Sequence, residues 1–269
     1  MRWPLFLALP LLLGGAACSS AAEGAPEPWK RVVLVELFTS QGCSSCPAAD
    51  DLVRGLPQLG FTRDKVVPLA YHVDYWDGLG WKDPFASAAF TKRQEWYVRA
   101  GRLRSPEGES GLSGPYTPQM IVAGAVHFSG QRRSLALSEI RRAASHPALF
   151  NLGATAAIKG QEIVVAVRAA PKDSQNPAAD WRLVVALTQK VARTQVLRGE
   201  NGGEALQEAA IVRAMSDRLP LSAAPGDPLR ITLVKPADLR WADAELAAFV
   251  QSDMTGEVAA ALAIDVPSI

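Results

Sequence analysis

Apolar residues along this chain follow two regimes. From Val32 to Ser145, compact β-branched runs alternate with stretches of helical spacing; after Leu149 come short alternating runs punctuated by glycine. Val32 to Phe38 is a strand-length apolar run, and Thr39 to Gly42 reads as a turn. Leu52, Val53 and Leu56 carry helical spacing, which predicts a helix from Cys43 to about Leu56, with Pro47 tolerated in its first turn and Pro57 and Gly60 ending it. Val66 to Val73 is a second strand. Asp83-Pro84 opens a second, amphipathic helix reaching Arg102, and Leu103 to Pro115 is a loop. Gln119 to Val122 and Val126 to Ser129 form a hairpin around Gly124, and a last helix carries Leu135, Ile140 and Ala144. Strand, helix, strand at the start implies a parallel pair with a crossover helix.

Beyond residue 149 the helical spacing stops. Leu152 to Lys159, Glu162 to Arg168, Trp181 to Thr188, Gln207 to Val212 and Leu229 to Val234 read as strands, and Gly256 to Ala263 as a strand or short helix. Strands at this spacing suggest a β-rich, sandwich-like C-terminal domain over 149–269. The α/β domain occupies 31–148, and the proline-containing stretch 23–30 is a linker.

Composition changes this picture only at the N-terminus. Hydrophobic residues make up 48% of the chain, as in ordinary globular proteins, and the net charge of +1 creates no field favouring nucleic acid. Residues 1–22 have the three parts of an export signal: Arg2, the apolar run Leu5 to Leu13, and small residues from Gly14 to Ala22. Two cleavage readings compete. Ser20-Ala21-Ala22 suits an ordinary signal peptidase. Ala16-Ala17-Cys18 resembles a lipoprotein box, with Gly15 where such boxes usually carry Leu, and gives Cys18 a purpose as a lipid anchor. Either reading sends the chain to the periplasm or outside the cell, and a membrane enters only through that anchor.

With Cys18 removed or acylated, the remaining cysteines are Cys43 and Cys46. A pair two residues apart closes too small a loop to staple a large fold, so it points to exchange chemistry in an oxidising compartment. The field at a helix N-terminus favours the thiolate, which makes Cys43 the attacking sulfur and Cys46 the resolving one. Glu36 lies on the strand face shared by Leu34 and Phe38, where a carboxylate must be either used or paired. His72, Asp74 and Trp76 follow the second strand, on the sheet edge where ligands usually bind. For His72 and Asp74 a structural role in a packed loop is the expectation; Trp76 and Trp81 either shield the cysteines or belong to the core. His127 and His146 show no metal spacing with the cysteines.

Three segments resemble a known group: Glu36-Leu37-Phe38-Thr39-Ser40-Gln41-Gly42-Cys43-Ser44-Ser45-Cys46-Pro47, then His72-Val73-Asp74-Tyr75-Trp76, then Tyr116-Thr117-Pro118-Gln119-Met120. With Arg198-Gly199-Glu200-Asn201 they resemble an exported bacterial thioredoxin-like family known as a domain of unknown function (number 1223). The resemblance implies a thioredoxin-like fold, β-α-β-α-β-β-α, with a cis Thr117–Pro118 bond against the cysteines and the Thr117 backbone free to pair with a substrate strand. It offers Glu36 as a buried acid relaying protons to Cys46, an ion-paired structural Glu36 being the alternative. Tyr116, Trp76, His72 and Asp74 would line the pocket. For Arg198, Glu200 and Asn201, structural use between the two halves is expected ahead of a recognition patch.

The leading functional expectation is an exported thiol–disulfide oxidoreductase. It needs no cofactor beyond the Cys43–Cys46 disulfide, acts on protein thiols or a small disulfide, and requires a redox partner that resets the pair. Two alternatives stand beside it. One is a copper carrier using both thiolates and His72. The other is a binding protein whose disulfide is vestigial.

Overall fold

The computed structural model describes residues 1, 29–100, 103–106, 114–173, 180–221 and 227–268. The expected export signal beyond Met1, with Cys18, residues 23–28 of the expected linker and much of the loop before Pro115 lie outside the described residues. The first half runs β1 (Val33–Thr39), α1 (Pro47–Gly55), β2 (Val66–His72), α2 (Ala88–Ala100), β3 (Gln119–Val122), β4 (Val126–Ser129) and α3 (Arg133–Ala144). Among the described residues, the regular elements of the second half are strands and short 3-10 turns: β5 (Phe150–Lys159), β6 (Glu162–Pro171), β7 (Trp181–Gln195), β8 (Ala205–Met215), β9 (Leu219–Pro220), β10 (Leu229–Val234), β11 (Ala244–Ser252) and β12 (Val258–Ile264).

The chain is an α/β structure with one long mixed sheet. Its strand order is β12-β11-β7-β8-β2-β1-β3-β4, with β9 paired to β7, and β10-β6-β5 form a second, three-stranded sheet. This corrects the expected separate sandwich. Only β5, β6 and β10 make a sheet of their own; the other strands of the second half extend the sheet of the first. The join is a parallel bridge between Ala70 of β2 and Ile211 of β8. Because the long sheet is covered on both sides, β7 and β11 are buried on both faces. Leu183, Val185, Leu187, Leu246 and Val250 meet the small sheet, while Val184, Ala186, Ala247 and Phe249 point the other way.

Strand alternation sorts the first half in the same manner. Val33, Val35 and Leu37 pack with Leu52 and Val53 of α1 and Ile140 of α3. Leu34 and Phe38 pack with Tyr71, Phe90, Tyr97 and Phe249. β1 and β2 are parallel, Thr39 lying beside His72, so their carboxyl ends open on the same edge. The β3–β4 hairpin turns through the three residues between paired Val122 and Val126, of which Ala123 and Gly124 adopt positive φ. A Cβ on Gly124 would lie 2.0 Å from the Gly256 carbonyl oxygen, so glycine is required where the hairpin meets the second half.

The helix expected from Cys43 begins at Pro47, with Cys46 at its N-cap. Pro47 has no N–H to contribute and its fixed φ suits the first helical position, so the helix starts there. The second helix likewise starts at Ala88 and not at Asp83, whose side chain is used elsewhere.

Candidate functional site

Cys43 and Cys46 are joined by a disulfide, their Cα atoms 5.5 Å apart. The link spans the turn from the carboxyl end of β1 into α1, and the Cys46 amide donates to the Cys43 carbonyl at 3.1 Å. Both cysteines have 0% of their surface exposed. The β7–β8 turn bonds to the main chain around them. The Glu200 carboxylate accepts from the Ser44 amide (3.0 Å) and hydroxyl (2.7 Å), and the Asn201 side-chain amide donates to the carbonyls of Gln41 (2.9 Å) and Cys43 (3.0 Å). The motif around Glu200 and Asn201 thus joins the two halves directly over the cysteines.

Other sequence-predicted residues approach from the remaining sides. The Trp76 indole donates to the Thr117 hydroxyl at 2.8 Å, and a Cβ on Gly42 would lie 3.1 Å from Trp76 Cβ. The Thr117–Pro118 bond is cis, and Pro118 is buried. The Gly130 amide donates to the Pro118 carbonyl, and the Gln131 side chain donates to the Ser45 carbonyl. The Tyr116 hydroxyl lies 3.1 Å from His127 Nδ1. Asp74 accepts from the Thr91 hydroxyl at 2.6 Å and ties the β2–α2 loop to α2.

Glu36 goes to the opposite face of the sheet. Its carboxylate receives the Arg93 guanidinium at 2.6 Å and the Tyr97 hydroxyl, and Arg93 stacks against Tyr71, Tyr97 and Phe249. Gln251 of β11 joins the same network. Of the two expectations for Glu36, this geometry is the ion-paired one.

A different carboxylate lies on the cysteine side. Asp50 follows Cys46 by one helical turn, its amide donates to the Cys46 carbonyl, and the two share a helix face. It is buried, accepts from the Thr39 hydroxyl at 2.9 Å, and has one carboxyl oxygen without a hydrogen-bond partner among the described residues. Burial, then the neighbouring Glu208 carboxylate, pushes its pKa up to about 8. His72 lies in the same cluster. Its Nδ1 meets the Asp83 carboxylate at 2.7 Å and its Nε2 lies 4.0 Å from Glu208. Burial disfavours the imidazolium, but Asp83 and Glu208 outweigh it and raise the pKa to about 9. Burial pushes Glu208 up as well, while His72 overcomes the burial of Asp83 and holds it below the usual carboxylate range.

Gln41 ties this cluster to the cysteine turn. Its backbone amide donates to Asp83, its side chain to Glu208 and Thr194, and it accepts from the Trp81 indole. A groove of about 250 Å³ between α1 and β8, lined by Pro47, Asp50, Asp51, Arg54 and Glu208, reaches the two acids from outside. Sequence reasoning missed Asp50, Asp83, Gln41 and Glu208. The available signal was the i, i+4 spacing of Cys46 and Asp50. Among the described residues, no group of three or more His, Cys, Asp or Glu side chains is arranged to hold a metal ion, and no helix is long and apolar enough to cross a membrane.

Comparison with known proteins places the chain. No curated protein matches it. Among solved structures it is similar to the crystal structure of protein AGR_C_4864 from Agrobacterium tumefaciens, with 26% identity, 89% of this chain and 96% of that one covered, and a TM-score of 0.61. HBP35 of Porphyromonas gingivalis shares the fold at 13% identity, with 89% of this chain and 76% of that one covered and a TM-score of 0.58. A family model described as Protein of unknown function (DUF1223) matches residues 34–251, and the chain belongs to that family.

Proposed function

We propose that this chain is an exported thiol–disulfide oxidoreductase on a thioredoxin-like fold, with Cys43 and Cys46 as its redox pair. The observation that carries the reading is the Cys43–Cys46 disulfide at the start of α1, one turn from a buried acid with a raised pKa. The β-α-β-α-β-β-α order of residues 33–144 and the Thr117–Pro118 segment beside the turn support it.

In the oxidised form a substrate thiolate attacks Cys43 Sγ. The bond between the two sulfurs breaks, and Cys46 leaves as the thiolate. Near neutral pH Asp50 is largely protonated, so it supplies the proton that converts this thiolate to a thiol. A second substrate thiol then displaces Cys43 from the mixed disulfide. The substrate ends as a disulfide and the protein as a dithiol. Asp50 recovers its proton from solvent through the groove beside Glu208. Glu36, already bound to Arg93 on the far face, has no part in this.

The test is the reduction potential of the pair in the mature protein, read by equilibration with glutathione and trapping of free thiols. A value near about −120 to −180 mV assigns an oxidant or isomerase, and one near about −270 mV a reductant. Cys46→Ser should accumulate a mixed disulfide at Cys43 with a dithiol substrate. A pair that never exchanges in the folded protein overturns the proposal.

A further inference from the structure

When Asp50 protonates Cys46, one negative charge moves from the sulfur to a buried carboxyl. A buried carboxylate is costly unless a cation stands near it. His72 is placed to be that cation. Thr39 lies beside His72 in the β1–β2 register, and the Thr39 hydroxyl donates to Asp50 at 2.9 Å, so one residue links the two. The imidazole is fully buried, its Nδ1 meets Asp83 at 2.7 Å, and Phe85 packs edge-on against the ring. Its Nε2 lies 4.0 Å from Glu208 Oε1, and neither atom, nor Asp50 Oδ1, has a hydrogen-bond partner among the described residues.

The charges around His72 come from three elements: Asp50 on α1, Asp83 in the β2–α2 loop and Glu208 on β8. Asp77 accepts from the Asp83 amide. The neighbouring arginines are engaged by other acids, Arg54 by Asp51 at 2.6 Å and Arg213 by Asp238 at 2.7 Å. Glu208 is held by the Gln41 side-chain amide, which donates to its other oxygen at 2.7 Å. Beyond burial itself, the largest influence on Asp50, Glu208 favours its protonated form and His72 its ionised form.

We propose that His72 is the counter-ion of the proton donor: anchored by Asp83, its imidazolium offsets the charge that Asp50 acquires on protonating Cys46, and Glu208 opposes it so that Asp50 keeps its proton until the disulfide opens. One proton moves, from the Asp50 carboxyl to Cys46 Sγ, and no other bond changes in that step. This rests on the oxidoreductase reading and deepens it. His72 and Glu208 are positioning residues that act through Asp50, and through Glu208 the second half of the chain sets the strength of an acid in the first.

The experiment titrates Asp50 in the oxidised mature protein by the infrared carbonyl band of its protonated carboxyl, assigned by its loss in D50N. It uses the native chain, H72Q, E208Q and the H72Q/E208Q double variant. From a native midpoint of about 8, H72Q should raise the midpoint by roughly one pH unit, E208Q should lower it by roughly one, and the double variant should return close to native. Single-turnover exchange with dithiothreitol, corrected for its thiolate fraction, should lose rate at pH values that move with these midpoints. At pH 7 H72Q should be several-fold slower, up to about tenfold, because its donor is a weaker acid. Ring-nitrogen magnetic resonance of the native chain should find His72 doubly protonated at pH 7, which tests the counter-ion even if H72Q melts early. A neutral His72 ring at pH 7, midpoints that stay fixed or move the same way in both single variants, or an exchange profile that ignores the midpoints overturns this proposal alone. A folded native chain that exchanges with no thiol overturns the oxidoreductase reading itself, whatever the titrations show.

Discussion

Two buried polar clusters sit on opposite faces of the same sheet, and they are built to different standards. On one face Glu36 meets Arg93 and Tyr97, Gln251 closes the network, and aromatic rings stack on the guanidinium. On the other face Asp50, Glu208 and Asp83 surround His72, and Asp50 Oδ1, His72 Nε2 and Glu208 Oε1 have no hydrogen-bond partner among the described residues. Unpaired buried polar atoms cost about 1–3 kcal/mol each, so stability alone does not explain the second cluster. A satisfied cluster holds a fold together. One with excess acid beside a disulfide can hold and move protons.

That contrast is broken first by removing one partner of the satisfied cluster. Glu36→Ala leaves Arg93 buried without its anion, and should cost about 3–5 kcal/mol in urea unfolding. The potential of the cysteine pair should stay where it was. A shifted potential with unchanged stability would return Glu36 to the redox machinery. Asp50→Asn is the converse. It should slow the step that protonates Cys46 by roughly a hundredfold, about 2.7 kcal/mol, the lower range for a lost acid–base group. Stability at alkaline pH should rise. An unchanged exchange rate in single-turnover mixing would remove Asp50 from the mechanism.

The sign of the pH dependence follows from the same cluster. A buried acid whose pKa is raised favours the folded state only while protonated. Its contribution therefore falls as pH climbs from the unfolded value of about 4 toward about 8. His72, raised to about 9, contributes fully below about 6.5 and loses that contribution as pH passes 9. Both groups make the protein less stable at pH 9 than at pH 6. Urea midpoints should show that fall in the native chain and a smaller one in Asp50→Asn. A flat profile in the native chain would mean that neither group is shifted as described.

Much of this was legible in the sequence, and the gaps have physical causes. Strands β3, β4 and β10 fall at the expected residues because turn signals bracket each of them. β11 was missed because Ala244 to Ser252 is buried on both faces, so it shows no alternation, and its alanines carry no strand preference. The sheet that fuses the two halves depends on one bridge, between Ala70 and Ile211, which no local pattern announces. The alternation that placed Glu36 on the Leu34–Phe38 face was correct, but a pattern along one strand says nothing of Arg93 waiting on α2. Asp50 was passed over because Asp50-Asp51 near a helix start reads as a solvated first turn; only β8 packing over α1 buries it.

The smallest test concerns the strand that brings Glu208 into the cluster. Ala210, two residues beyond Glu208, has φ 55°, in the left-handed region that favours glycine, and it is buried against the α1 side of the sheet. Adopting this conformation costs a non-glycine residue about 1–2 kcal/mol. Ala210→Gly relieves that, but spends about 0.5–1 kcal/mol on backbone freedom and about 0.8 kcal/mol on the lost buried methyl. The terms nearly cancel, so the variant should stay within about 0.5 kcal/mol of the native chain. Ala186→Gly, at a fully buried strand position of ordinary φ, has nothing to relieve and should lose about 1.5 kcal/mol or more. Urea unfolding of the pair reads the difference. Equal losses would mean that β8 reaches Glu208 without strain, and would leave the unsatisfied acids as the sole energetic cost in that face of the sheet.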